Sequence, residues 1–249
     1  MYDSALVLSQ ITGPDSKDST ALQDVKKIDY TAQLTGKIRP GMKIGIIDNA
    51  LNAEGIDAGV RTLLDDAITA LEKLGAKIER ISLPSMDHGA AVYFMISRAE
   101  AASNLSRFDG VRYGYRSKNS EDLLELYENS RAEGFGREVK RRIMIGNYVL
   151  SAGHADAYYK SAKIVQEIMR QEFLDAFKSV DLLFMPTTPC PAFKFGAFKE
   201  NPLQMDLQDY FTAPINLAGL PAISVPCGFV DGMPIGMQLI GPHQSEYFC

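Results

Sequence analysis

Lys43-Ile-Gly-Ile-Ile-Asp48 follows the turn residues Arg39-Pro40-Gly41 and reads as a short buried strand. Behind it, Asp57 to Leu74 sets Val60, Leu63, Leu64, Ala67, Ile68, Leu71 and Leu74 on one face of a helix. Gly75 stands at the position just past that helix, where a left-handed residue ends it, and Lys77–Leu83 reads as the next strand. Strand, helix and strand within residues 43–83 make a βαβ unit with two parallel strands and a right-handed crossover. The fold class that follows is α/β.

Upstream, residues 2–11 read as an apolar helical stretch with Ala5, Leu6, Leu8 and Ile11, closed by Gly13-Pro14. Residues 13–35 are polar and turn-rich, a surface connection. Downstream of the βαβ unit the chain is helical over Ala90–Leu105, Ser120–Arg131, Gly136–Leu150 and Ala155–Phe177. The last of these carries Ile164, Ile168, Phe173, Leu174 and Phe177 toward a core. Strands then return at Val180–Met185, Ala222–Val225 and Ile235–Leu239, separated by prolines that stiffen the loops. No internal repeat or low-complexity segment interrupts this order. Both ends read as cut: a helix opens the chain almost at once, and the chain stops just after the last strand pattern.

Length and composition bound the function. The 249 residues are 46% hydrophobic and 23% charged, which fits an ordinary soluble protein able to bury a large core without a disulfide or metal staple. With 26 Lys+Arg against 31 Asp+Glu the net charge is −5, which argues against a surface built mainly to neutralise phosphate. No apolar run reaches the roughly 18 residues needed to span a bilayer, and the N-terminus lacks a basic signal-peptide start. Cys190, Cys227 and Cys249 are widely spaced and give neither a paired framework nor a metal spacing. The reading is a reduced, cytoplasmic, non-membrane protein.

Several familiar engines are missing. Gly41-Met-Lys-Ile-Gly45 precedes a strand instead of opening a helix after one, so it cannot cradle a pyrophosphate. Asp48-Asn49-Ala50-Leu51-Asn52 stands where a dinucleotide fingerprint would. His88, His154 and His243 occur in unrelated contexts, and no Gly-x-Ser-x-Gly elbow is present. Two stretches retain chemical interest. The first, Gly134-Phe-Gly-Arg-Glu-Val-Lys-Arg-Arg-Ile-Met-Ile-Gly146, carries Arg137, Lys140, Arg141 and Arg142 on one helix. Arg137 and Arg141 share a face, with Arg142 turned by about 100° from Arg141. Periodicity favours a solvated basic face, and the alternative is a guanidinium that clamps a carboxylate in a cleft. The second runs from Leu207 to Gly228, rich in small residues and prolines, and leads into what reads as a buried strand. Within it Asp209 is equally a helix cap or a ligand group, and Asn216 can satisfy loop backbone.

Thr212-Ala-Pro-Ile-Asn-Leu-Ala-Gly-Leu-Pro-Ala-Ile-Ser-Val-Pro-Cys-Gly228, followed by Gly232-Met-Pro-Ile-Gly-Met-Gln-Leu-Ile-Gly241, resembles the C-terminal part of the amidase signature family. Four further stretches (residues 5–20, Ser103-Asn-Leu-Ser-Arg-Phe-Asp-Gly-Val-Arg-Tyr-Gly114, 134–146 and Asp156-Ala-Tyr-Tyr-Lys160) are similar to its glutamyl-tRNA(Gln)/aspartyl-tRNA(Asn) amidotransferase A-subunit branch. The resemblance implies an amidase-signature mixed sheet flanked by helices, with residues 1–249 as the C-terminal portion of a single domain. It also implies that the nucleophilic serine, its partner serine and the lysine lie N-terminal to the residues read here. No catalytic residue is therefore assigned within the chain, and hydrolysis by it alone is not expected.

The resemblance assigns glutamine recognition to Arg142, Asp209 and Tyr93: a cation for the α-carboxylate, an anion for the α-ammonium, and a pocket tyrosine. It further implies B and C partner subunits, with ATP and Mg²⁺ used at the partner and mischarged tRNA held mainly there. No cofactor or metal is assigned to this chain. Two other readings stay open, a fragment of an amidase for another small amide and a catalytically silent binding or assembly module. A cut domain would also expose strand edges and self-associate.

Overall fold

The computed structural model of the chain describes residues 2–25, 27–32 and 34–246; Cys249, one of the three cysteines, lies outside them. In chain order the elements are helix α1 (Tyr2–Ile11), strand β1 (Lys43–Ile47), the one-turn α2 (Asp48–Leu51), α3 (Ala58–Lys73) and β2 (Lys77–Ile81). Helices α4 (Gly89–Leu105), α5 (Leu123–Gly134), α6 (Arg137–Leu150) and α7 (Ser161–Ala176) follow. Strand β3 (Leu182–Pro186), short helices α8 (Pro202–Asp206) and α9 (Ala213–Ala218), and strands β4 (Ala222–Val230) and β5 (Met233–Ile240) complete it. The chain divides into two compact units, one of Met1–Pro84 with Gln171–Cys249 and one of Ser85–Arg170. No helix among the described residues is long and apolar enough to cross a membrane.

The first unit holds one five-stranded mixed sheet in the order β2-β1-β3-β5-β4. β1 pairs in parallel with both β2 and β3, while β5 is antiparallel to β3 and β4. The βαβ reading holds, and the local chemistry explains it. Asp57 caps α3, its Oδ1 accepting from the backbone N–H of Gly59 at 2.8 Å and of Val60 at 3.2 Å. At the other end Gly75 has φ +99°, a region costly for a residue with a Cβ. The Gly75 N–H donates to Glu72 O and that of Ala76 to Leu71 O, which closes the helix. Val60, Leu64, Ile68 and Leu71 of α3 pack with Ile44, Ile46, Phe184 and Ile235 of the sheet. Each such side chain contributes roughly 1.5–3 kcal/mol by leaving water. Leu74, placed on the same face by spacing, is instead 66% exposed, because it is the capping residue where the helix leaves the sheet.

One expectation for the later strands needs correcting. β4 is not a buried strand: its residues alternate between exposed and half-buried, since it lies at the sheet edge with β5 as its one neighbour. β3, between two strands, is buried throughout and is the central element of the core.

The second unit is helical. Asp122 caps α5 by accepting from Glu125 N–H at 2.8 Å, so this helix begins after the expected Ser120. The expected continuous helix from Ala155 opens as a π-helical turn at Asp156–Lys160 before α7 begins at Ser161. Helix α7 belongs to this unit up to Arg170 and to the first unit from Gln171; its buried residues are Ala162 and Met169 in the one and Phe173 and Ala176 in the other, whereas Ile164 is 63% exposed and Ile168 50% exposed. Helical spacing marks an apolar stripe without saying what covers it, and here part of the stripe faces solvent.

Candidate functional site

Helix α6 begins after Gly136, and Glu138 in its first turn lies where the helix dipole favours a negative charge. The carboxylate sits three residues before Arg141 and four before Arg142, within reach of both. Arg141 donates from Nε to Glu138 Oε2 at 2.9 Å and from Nη2 to Oε1 at 3.3 Å. Arg142 donates from Nε to Oε1 at 2.9 Å. Both arginines are half-exposed and both bind the one carboxylate. Their hydrogen bonds, those of Arg141 first, hold the Glu138 carboxyl below the usual glutamate range. The guanidinium of Arg142 is held charged, its pKa raised chiefly by Glu138 and further by the Tyr93 hydroxyl, against the opposing effect of burial.

Tyr93 stands on α4, half-buried, and α4 packs closely on α6. Gly146 explains how close: a Cβ built there would fall 2.0 Å from the carbonyl oxygen of Arg98 and 2.7 Å from the Ala102 Cβ. Only glycine lets the two backbones meet there, so the glycine ending the basic stretch sets the separation of the helices carrying Arg142 and Tyr93. Arg98, 1% exposed, was not singled out by sequence reasoning. Its guanidinium carbon sits 3.8 Å from the Phe94 ring centroid and 5.9 Å from that of Tyr93, and Nη1 donates to Ser97 Oγ at 3.1 Å. An arginine within an alanine-rich apolar helix was the available signal. Glu138 was also missed, and its signal was the i, i+3 and i, i+4 spacing to two arginines.

The sequence-predicted residues thus divide. Arg142 and Tyr93 come together within the helical unit, and Asp209 belongs to the sheet-bearing unit. Asp209 ends a 3-10 turn, Leu207–Asp209, and is exposed. Its backbone oxygen accepts from Thr212 N–H at 3.1 Å, but its carboxylate caps no helix; Thr212 occupies the N-cap of α9. The capping reading of Asp209 is set aside. Asn216 Nδ2 donates to Thr212 O at 3.0 Å, the backbone role its loop reading gave it. Beside this turn a cavity of about 390 Å³ is lined by Gly55, Pro189, Gln204, Leu207, Tyr210 and Phe211 among others. Cys190 Sγ donates to Gln208 Oε1 at 3.1 Å, and burial pushes its thiol pKa up, as it does for Cys227, so neither is primed as a thiolate. His154 is stacked with Tyr148 and Tyr158, at 4.3 and 5.7 Å between ring centroids. Among the described residues no three His, Cys, Asp or Glu gather where they could hold a metal ion.

Comparison with known proteins identifies the family and the fold. The family described as Amidase matches residues 1–249. The A subunit of the glutamyl-tRNA(Gln) amidotransferase of Geobacillus kaustophilus (strain HTA426) is 49% identical over 244 residues, which is 98% of this chain and 50% of that protein. The corresponding A subunit of Carboxydothermus hydrogenoformans is 52% identical, again over 98% of this chain and 50% of the relative. The crystal structure of the Thermotoga maritima glutamyl-tRNA(Gln) amidotransferase A subunit superposes with a TM-score of 0.76 at 35% identity, covering 99% of this chain and 48% of that one. A bacterial aryl acylamidase of the amidase signature family shares the fold at a TM-score of 0.70 and 21% identity, over 99% of this chain and 48% of that one. The chain spans about half the length of the curated relatives it matches. By sequence along its whole length and by its mixed sheet flanked by helices, the chain belongs to the amidase signature family.

Proposed function

We propose that the chain is the C-terminal portion of a single amidase-signature domain, in the glutamine-hydrolysing A subunit of an amidotransferase. Its ammonia would convert Glu-tRNA(Gln) or Asp-tRNA(Asn) to the amidated form. The observation that carries this reading is Arg142, half-buried, held charged by Glu138 and facing the Tyr93 hydroxyl. A fixed guanidinium suits the α-carboxylate of glutamine, which many other small amides lack. Asp209 is the proposed anion for the α-ammonium, a role supported by its position in the family's C-terminal stretch and by its carboxylate not being used as a helix cap. The partners in this reading are B and C subunits in the cytoplasm, with ATP and Mg²⁺ acting there and tRNA contacted mainly there; a net charge of −5 is in keeping with that division.

Nucleophilic attack needs a serine and its base within hydrogen-bond reach. On this reading both serines and the lysine lie outside these residues, so the chain alone releases ammonia from glutamine only at background. Joined to the N-terminal half of the Geobacillus kaustophilus relative, it hydrolyses glutamine, and Arg142→Ala lowers kcat/KM by about a hundredfold. Equal kcat/KM for glutamine in the joined wild type and in both Arg142→Ala and Asp209→Ala would favour the general small-amide amidase instead. An inert joined protein that still binds the partner subunits would favour the assembly module.

A further inference from the structure

We propose that Glu138 is a positioning residue that selects Arg142 over Arg141 as the carboxylate receptor and fixes which edge of its guanidinium a ligand meets. The proposal rests on the reading of Arg142 as the glutamine-carboxylate residue. A guanidinium presents two forked edges, one formed by Nε with an Nη and one by the two Nη atoms. Arg141 spends its Nε edge fully on Glu138, with two bonds at 2.9 and 3.3 Å. Arg142 gives the same carboxylate a single bond, from Nε at 2.9 Å. Glu138 takes only the Nε of Arg142, so the forked Nη end of the guanidinium, which also meets the Tyr93 hydroxyl, can take a ligand carboxylate beside that hydroxyl. Glu138 therefore acts in two ways: it engages one arginine, and it holds the plane of the other.

The helix geometry supports the arrangement. Glu138, Arg141 and Arg142 lie in one turn and a half of α6, and Gly146 on the same helix fixes the approach to α4 and Tyr93. A flexible arginine loses rotamer freedom on binding a carboxylate, and an arginine already pinned at Nε has less to lose. The pair contributes little to stability, since its side chains are 36% and 53% exposed and solvent screens such an ion pair. Ligand discrimination, and not folding, is where its loss should register.

The test uses the 249-residue chain with calorimetric titration of glutamine and of 4-aminobutyramide, which lacks the α-carboxylate. The wild type binds glutamine more tightly. Glu138→Gln weakens glutamine by about tenfold, leaves 4-aminobutyramide unchanged and leaves the melting temperature essentially where it was. Glu138→Asp restores part of the preference, and Arg141→Ala keeps it. Glu138→Gln with an unchanged preference, while Arg142→Ala abolishes it, overturns the positioning role and leaves the Arg142 reading intact. No preference in the wild type, or none lost in Arg142→Ala, overturns that reading and this proposal with it. A large fall in melting temperature for Glu138→Gln assigns the residue to structure and also overturns the proposal.

Discussion

Two carboxylates in this protein organise the charges and backbone next to them in the chain. Glu138 gathers two adjacent arginines, and Asp109 does the equivalent for a loop. Asp109 Oδ1 accepts from Val111 and Arg112 N–H at 2.9 Å each, and Oδ2 accepts from Arg112 Nε at 2.9 Å. Those bonds, the Arg112 and Val111 backbone ones foremost, depress its pKa to about 2 from an ordinary 3.8. A depressed folded-state pKa adds stability that is fully present above the unfolded value and is lost as pH falls through the folded one. Between about pH 4 and pH 2 the wild type should therefore lose more stability than Asp109→Asn, as measured by urea unfolding at each pH. Parallel curves for the two proteins would contradict the assignment. Single residues were only partly legible in the sequence. Arg142, Tyr93 and Asp209 entered through family resemblance, whereas Glu138 and Arg98 are ordinary charged residues whose roles depend on neighbours that composition does not reveal.

Among the elements, two devices can be tested by single substitutions. Gly146→Ala drives a Cβ toward a backbone carbonyl, which cannot rotate away, so α4 and α6 must separate. The expected cost is about 1–3 kcal/mol, read by chemical denaturation, together with weakened glutamine binding because Tyr93 and Arg142 ride on those helices. Asp57→Ala removes the cap of α3 and should cost about 1 kcal/mol without touching ligand binding. The elements most legible in the sequence were β1, α3 and β2, where periodicity, a cap and a terminal glycine all agree. β4 and α7 were less so, for one physical reason: apolar spacing records a face, while burial depends on what lies against it. β4 has one strand neighbour and stays half-exposed, and Ile164 and Ile168 on α7 lie in the open.

For the molecule as a whole, the chain joins a mixed sheet and a helical unit and matches half the length of its relatives. The β4 edge, with Phe229 71% exposed and Met233 43% exposed near the β4–β5 turn, offers unpaired backbone and apolar surface to another chain. The isolated chain should self-associate with rising concentration in sedimentation velocity, and Phe229→Lys should reduce that association; a monodisperse wild type would contradict it. In the proposed division of labour these residues carry the selection of glutamine, and the attacking groups lie outside them. Steady-state hydrolysis of glutamine and 4-aminobutyramide, in the chain joined to a relative's N-terminal half with and without Arg142→Ala, probes that division at its core. The joined wild type should prefer glutamine, and the preference should collapse in Arg142→Ala through kcat/KM for glutamine alone. Equal losses for both amides, or no loss for either, would refute it.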